Sequence, residues 1–364
     1  MSGYDLIVIG AGPGGCATAI TAASSGAKVL LLERGRFPRH KVCGEFVSAE
    51  SLQLLERLLK TEDHKLISSA PRIARGRIFA DRTEISTEIR PAAASITRFD
   101  LDAALWKSCL EHGVDARANS PVKAVEGAGP FRITTENEAV AAQSVVNATG
   151  RWSNLTAMAG HTQANGERRI GVKAHFHETS PAASVDLYFF EGGYCGVQPI
   201  GEQNGSGVVN ACAMVSARCA TTISDVLQLH PVLKERSRHW RPLTQAVTTS
   251  PLVFHAPAPL AAGMLQVGDS ATFVDPFIGD GISLALRSGV LAAECLVPFF
   301  SGNRSLPEAR AEYAKYYRQR LSHVFRASSM LRGILGWPRM IRRPLLGLVQ
   351  KAPSVTRRLV KMTR

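Results

Sequence analysis

Short apolar runs of strand length alternate with segments of helical spacing over the first third of the chain, and runs of strict apolar/polar alternation follow them. Residues 6–9 are an unbroken apolar run. Residues 13–26 are rich in Ala, Thr and Ser with helical spacing, and residues 29–32 are apolar again. The order is strand, helix, strand, as in a βαβ unit whose parallel strands are buried on both faces. Helices are predicted over about 48–59 and about 98–112, the second with Asp100 as N-cap. Short strands are predicted at 77–80, 84–89, 122–125, 131–134 and 145–148. The region 165–257 is strand-rich: 170–177 and 185–190 alternate, 208–215 is largely apolar, and one helix falls near 223–229. A buried strand returns at 264–267. A helix then opens after residues 275–282 and runs to about 296, and further helices fill 307–330.

The turn after the first strand carries candidate chemistry. It reads Gly10-Ala11-Gly12-Pro13-Gly14-Gly15. In a strand–turn–helix setting, Gly10 can take a turn conformation that a Cβ forbids, Gly12 lets the backbone approach a pyrophosphate, and Gly15 lets the helix lie on the strand. The helix N-terminus then offers N–H groups and the positive end of its dipole to phosphates. Glu33 closes the second strand eighteen residues beyond Gly15, where a carboxylate accepts hydrogen bonds from a ribose. Together these features point to a bound dinucleotide.

Composition adds limits. The chain has 364 residues, 45% hydrophobic and 20% charged, enough for two domains or one large one. It has no run of eighteen apolar residues, and its N-terminus has no basic segment leading into an apolar stretch, so neither a transmembrane helix nor a signal peptide is expected. Seven scattered cysteines without a CxxC spacing suggest reduced thiols, mostly in the core, in a cytoplasmic protein. Neither a disulfide frame nor a metal site is expected. Of the net charge of +13, nine units lie in residues 332–364, which hold no acid. This basic, apolar-interrupted tail around Trp337 fits a helix packed on the body with a solvated face, or a peripheral contact with an anionic membrane. Aromatic residues are not interleaved as stacking platforms, so no nucleic acid is expected.

Several motifs recur in one order: the Gly10–Gly15 turn with Glu33, Arg98 before a helix, Ala148-Thr149-Gly150 at a strand end, and Gly268-Asp269. In this the chain resembles the FAD-dependent oxidoreductases of the para-hydroxybenzoate hydroxylase superfamily. Lys41-Val42-Cys43-Gly44-Glu45 and Gly193-Tyr194-Cys195-Gly196-Val197-Gln198-Pro199 are most similar to its geranylgeranyl reductase-like branch. The resemblance implies an α/β fold. A discontinuous Rossmann-like FAD-binding domain would span 1–70, 91–160 and 260–300, an inserted β-sheet substrate domain 71–90 and 161–259, and a C-terminal helical region with the basic tail 301–364. It further implies that Gly10, Ala11, Gly12, Pro13, Gly14 and Gly15 hold the FAD pyrophosphate and Glu33 the adenosine ribose. Arg34 and the Val122 backbone would lie at the adenine, with Arg98, Thr149 and Gly150 along the cofactor. Asp269 would meet the ribityl chain, Gly279, Gly281 and Ile282 the flavin ring, and Lys41, Cys43 and Gly44 a loop beside it. A helix N-terminus at 279–282 suits the negative charge of a reduced flavin; Asp280 reads as that helix's N-cap.

The resemblance also bears on the reaction. NADH or NADPH is one candidate electron donor, and if used it docks without a Rossmann domain of its own. However, the superfamily has Asp-Gly where this chain has Thr149-Gly150, and that motif is tied to handling the nicotinamide donor. The WxWxIP signature of flavin halogenases is absent, so halogenation is not expected. The leading expectation is a monooxygenase acting on a hydrophobic or aromatic small molecule, with a double-bond reductase as the alternative. A further alternative is a non-catalytic flavin protein docked to membrane through its tail. Flavin chemistry asks little of side chains. Candidates for acid, base or redox roles are Cys43, His175 on the alternating strand Lys173-Ala174-His175-Phe176-His177, and Tyr194. Against these stand a Cys43 packed by its turn, a solvated polar face on that strand, and aromatic core packing for Tyr194.

Overall fold

The computed structural model describes residues 3–80, 83–151, 155 and 168–335. Residues 336–364, most of the basic tail, lie outside that range. Five parallel strands form the centre of one sheet, in the order Met264–Gln266, Ala139–Asn147, Tyr4–Ile9, Val29–Leu32, Asp115–Arg117. Leu6, Ile7, Val8, Leu30 and Leu31 are wholly buried, as expected of strands covered on both faces. The helix Pro13–Ser24 follows the first strand without a side-chain N-cap. It packs against Gly281–Phe300, and Thr18 Oγ donates to the carbonyls of Gly14 (2.8 Å) and Gly289 (3.1 Å). Gly281–Phe300 is long and apolar enough to cross a membrane, but here it is a core helix, held between this first helix and Leu306–Arg320.

Among the described residues the second sheet has nine strands and includes Arg72–Ala80, Thr83–Ser95, Arg169–Glu178, Ser184–Phe190, Gly193–Gln203 and Ser206–Ser216. Its pairings are antiparallel except that of Arg72–Ala80 with Ser184–Phe190. Successive side chains point to opposite faces. One face carries Val172, Ala174, Phe176, Ala211, Ala213 and Val197 into a core capped by Ile223–Gln228 and Pro231–Arg236. The opposite face carries Lys173, His175, Tyr194, Gln198, Asn210 and Cys212, and turns toward the first sheet.

Sequence and structure part at three places. The helix Arg98–Glu111 is capped by Thr97, whose hydroxyl accepts the Asp100 N–H at 3.1 Å; Asp100 is the third helical residue, not the cap. The strand Gly193–Gln203 has no hydrophobic signature because Gly193, Gly196, Pro199 and Gly201 interrupt it. Asp280 stands at the N-cap position of Gly281–Phe300, but its side chain makes no capping hydrogen bond.

Candidate functional site

A cavity of about 770 Å³ lies between the two sheets. At one end it meets the glycine turn. Gly10 has φ +101°, and a Cβ there would sit 2.5 Å from the Ala148 carbonyl oxygen. A Cβ on Gly15 would come within 1.8 Å of the Gly10 oxygen, whereas one on Gly12 meets no protein atom within 4 Å. Gly12, Pro13 and Gly14 line the cavity beside an uncapped helix end. The residues present therefore fit a pyrophosphate: backbone donors and space on one side, close packing on the other. Glu33 is buried behind this end. Its carboxylate accepts hydrogen bonds from Ala11 N (2.9 Å), Gly35 N (2.8 Å) and Arg39 Nη1 (2.8 Å). Burial alone would raise its pKa, but these partners outweigh it and hold the group at about 2. Arg34 lies on the cavity wall; Glu33 and Val122 do not. Arg39 closes over Glu33, and the Val122 side chain packs against the core of the first sheet.

Beside this turn the wall continues through Thr149, Gly150, Gly268 and Asp269 to the stretch from Pro276 to Ile282. Asn147 Oδ1 accepts from Thr149 N and Oγ1, and Ser270 Oγ accepts from Gly150 N at 2.8 Å, which fixes the strand end. Asp269 is half-exposed, 3.5 Å from Arg151. Gly279 takes a left-handed φ of +77°, and the helix that begins at Gly281, without a side-chain capping bond, borders the cavity with Gly281 and Ile282. This is a second helix N-terminus on the wall, packed beside the first, with the buried Asp280 at its N-cap position.

The loop 40–45 closes the side. Asn210 Nδ2 donates to the Cys43 and Gly44 carbonyls at 3.0 and 2.9 Å, and Glu45 N donates to Cys43 Sγ at 3.4 Å. Glu45 has a left-handed φ of +64° and no exposed surface. Its carboxylate binds Lys173 Nζ, accepts Arg98 N at 2.9 Å, and pairs with His175 Nε2 at 3.0 Å. Burial pushes this carboxyl up, but His175 and Lys173 hold it below the ordinary carboxylate range. Arg98 is partly buried and bidentate to Asp102, both bonds at 2.7 Å, with Cys43 as its next electrostatic neighbour. Lys41 lies on the wall; burial first, then the charges of Arg98 and Arg39, lower its pKa to about 8.

The polar face expected to be solvated on the Arg169–Glu178 strand is buried. Alternation shows that the two faces differ, not which one meets water. His175 is 4% exposed and Lys173 1%. His175 does not reach the cavity; it stands behind Glu45. Cys43 and Tyr194 do line the wall, Tyr194 between Phe189 and Phe277. The remaining wall is mainly apolar, with Ile78, Ile85, Leu187, Leu252, Phe273 and, from the C-terminal helix Ser322–Leu335, Leu331 and Ile334, and is broken by polar side chains such as Arg77, Arg151 and Gln198. Sequence reasoning missed Asp275, buried beside Tyr194, because Asp-Pro before a turn reads as a cap, which it also is. Among the described residues no group of acidic, His and Cys side chains could hold a metal ion.

Comparison with known proteins agrees with this geometry. The model of the family described as FAD dependent oxidoreductase matches residues 5–241. Menaquinone reductase of Mycolicibacterium smegmatis is 24% identical over 321 residues, 80% of this chain and 76% of that protein. Digeranylgeranylglycerophospholipid reductase of Thermoplasma volcanium is 27% identical over 347 residues, 88% of this chain and 84% of that one. The flavin-dependent brominase Bmp2 superposes with a TM-score of 0.79, covering 100% of this chain and 93% of its own, at 18% identity, and so shares the fold. The chain belongs to the FAD-dependent oxidoreductase family.

Proposed function

We propose that this FAD-dependent oxidoreductase reduces carbon–carbon double bonds in a long apolar, polyprenyl-like substrate. The observation that carries the reading is the continuity of one cavity. It runs from the two uncapped helix ends into a wall of aliphatic and aromatic side chains roofed by the C-terminal helix. Such a wall binds a hydrocarbon chain by burial, at about 25 cal/mol per Å² of apolar surface, and offers few polar groups to an aromatic acid or a sugar. Relatives named as reductases of menaquinone and of digeranylgeranylglycerophospholipid support the same substrate class. When bound, FAD supplies hydride chemistry. The chain's residues bind it at the two helix ends, exclude water with the apolar wall, and hold Cys43 and Tyr194 where a proton can be supplied. The Cys43 thiol on that wall is an oxidisable group, poorly suited to an oxygen-activating site.

The test is anaerobic. FAD-loaded protein reduced with dithionite is mixed with geranylgeraniol, and the products are analysed by mass spectrometry. Gain of two hydrogens per double bond is the expected result. A hydroxylated product that forms only with dioxygen, with no hydrogenation in its absence, would overturn the reading in favour of the monooxygenase expectation. A substrate of this kind resides in a bilayer. The basic segment 332–364 is therefore proposed to hold the enzyme on an anionic surface.

A further inference from the structure

Tyr194 is 6% exposed, and its ring lies in the apolar part of the cavity wall, 5.5 Å from Phe189 and 5.8 Å from Phe277 between ring centres. Its hydroxyl does not point to bulk water but donates to Asp275 Oδ1 at 3.2 Å. Asp275 is 1% exposed. Its backbone N–H donates to Ser328 Oγ of the C-terminal helix at 2.8 Å, and Phe277 N donates weakly to its Oδ1 at 3.4 Å. The charged or titratable groups that face it are Tyr194 from the Gly193–Gln203 strand, Arg332 from the C-terminal helix and Arg169 from the Arg169–Glu178 strand. Arg332 approaches Oδ2 only to 4.0 Å. Cys212 is the further ionisable neighbour on the Tyr194 side. An acid buried with so loose a cationic partner is costly as a carboxylate, and its one side-chain hydrogen bond to the cavity wall is a phenol.

Resting on the reductase reading, we propose that Tyr194 and Asp275 deliver the proton of the reaction, the phenol to the substrate and the carboxylic acid to the phenol. The alkene π bond breaks. One carbon takes a hydride, with both electrons, from the reduced flavin; the other takes the Tyr194 proton. The Asp275 acid proton passes to the phenol oxygen, and the carboxylate left behind regains a proton from solvent after the product leaves. The flavin is oxidised by two electrons and the alkene reduced by two, with dithionite as the reductant in the test. Burial pushes the Asp275 carboxyl up to about 6 against the pull of Phe277 N, Arg332, Tyr194 and Arg169. The acid form that the relay needs is therefore available near neutrality. When Asp275 is ionised, it holds the phenol proton and the transfer stops.

The experiment follows flavin reoxidation in single turnovers of the FAD-loaded, dithionite-reduced enzyme with geranylgeraniol, in water and deuterium oxide, between about pH 5 and pH 9. The wild type should slow about tenfold per pH unit above the Asp275 transition and show a solvent isotope effect. Tyr194→Phe and Asp275→Asn should each lose about 100-fold with little change in half-saturating substrate, lose the pH step, and lose the isotope effect; Asp275→Glu should recover part. Retention of the pH step in both variants overturns the pair, as does loss of the isotope effect in Cys43→Ser alone. Thermal melting gives a reading without turnover. A carboxyl raised in the folded state stabilises it when protonated, and that stability is lost as pH rises from the unfolded value through about 6. Asp275→Asn should therefore melt higher than wild type at about pH 8 and alike at about pH 4. Parallel melting curves in an enzyme that does reduce geranylgeraniol overturn the pair alone. A wild type that leaves geranylgeraniol unreduced overturns the reductase reading, and the pair's role with it.

Discussion

Replacing Lys173 by Met is expected to lower the free energy of unfolding by about 3–5 kcal/mol, the cost of leaving one member of a buried ion pair alone. Lys173 is 1% exposed, and its partner Glu45 has no exposed surface. Removing the ammonium leaves the carboxylate with the His175 ring and one backbone N–H. Solvent does not reach it to compensate, so it must stay ionised without its nearest cation or take up a proton. The same residue also fixes the loop that carries Cys43 through its backbone, because Glu45 N donates to Cys43 Sγ and the Glu45 carbonyl accepts Ile96 N at 3.0 Å. The loss should therefore appear as both a lower urea midpoint and weaker FAD retention. Adding Glu45→Gln to Lys173→Met removes the stranded charge and should restore more than half of the loss, a coupling that a double-mutant cycle reads directly. A single-variant cost below about 1 kcal/mol would mean that the pair is solvated like a surface salt bridge.

This cluster also shows how much was legible before the fold was known. The Gly10–Gly15 turn, its flanking strands and Glu33 were readable because every contact that defines them is local or separated by a fixed spacing; the parallel register of Ile7 with Leu30 follows directly. The alternation Lys173-Ala174-His175 was readable as a two-faced strand. Its polar face was not readable as buried, because the neutralising acid arrives from 128 residues away along the chain. Cys43 and Tyr194 could be named from motif resemblance. Their separate surroundings, Arg98 beside one and Asp275 beside the other, come from packing of the two sheets and the C-terminal helix against each other. Gly193–Gln203 was legible as a motif but not as a strand, because its glycines and proline suppress the strand signal, yet it places Tyr194, Gly196 and Gln198 on the cavity wall. Glu33 shows the converse. Its position was legible, but its contacts were not: its carboxylate is already engaged by Ala11, Gly35 and Arg39.

Two neighbouring glycines of the turn should fail in opposite ways. Gly15→Ala places a methyl 1.8 Å from the Gly10 carbonyl oxygen and 3.0 Å from Ala148 Cβ. The first of these is backbone that cannot swing aside, so the helix must lift off the strand, at about 3 kcal/mol or more. Gly12→Ala meets nothing in the protein within 4 Å, and the backbone there, at φ −74° and ψ −179°, is extended in a way alanine adopts freely. Its fold should be unchanged to within about 0.5 kcal/mol. The methyl instead enters the space beside the uncapped helix end, where the pyrophosphate must come close. FAD affinity should fall about 100-fold, roughly 2.7 kcal/mol. Melting of the flavin-free proteins separates the first variant from wild type, and titration of FAD fluorescence separates the second. If Gly12→Ala bound FAD as wild type does, the pyrophosphate could not lie against this helix end, and the anion site would have to be the helix that begins at Gly281.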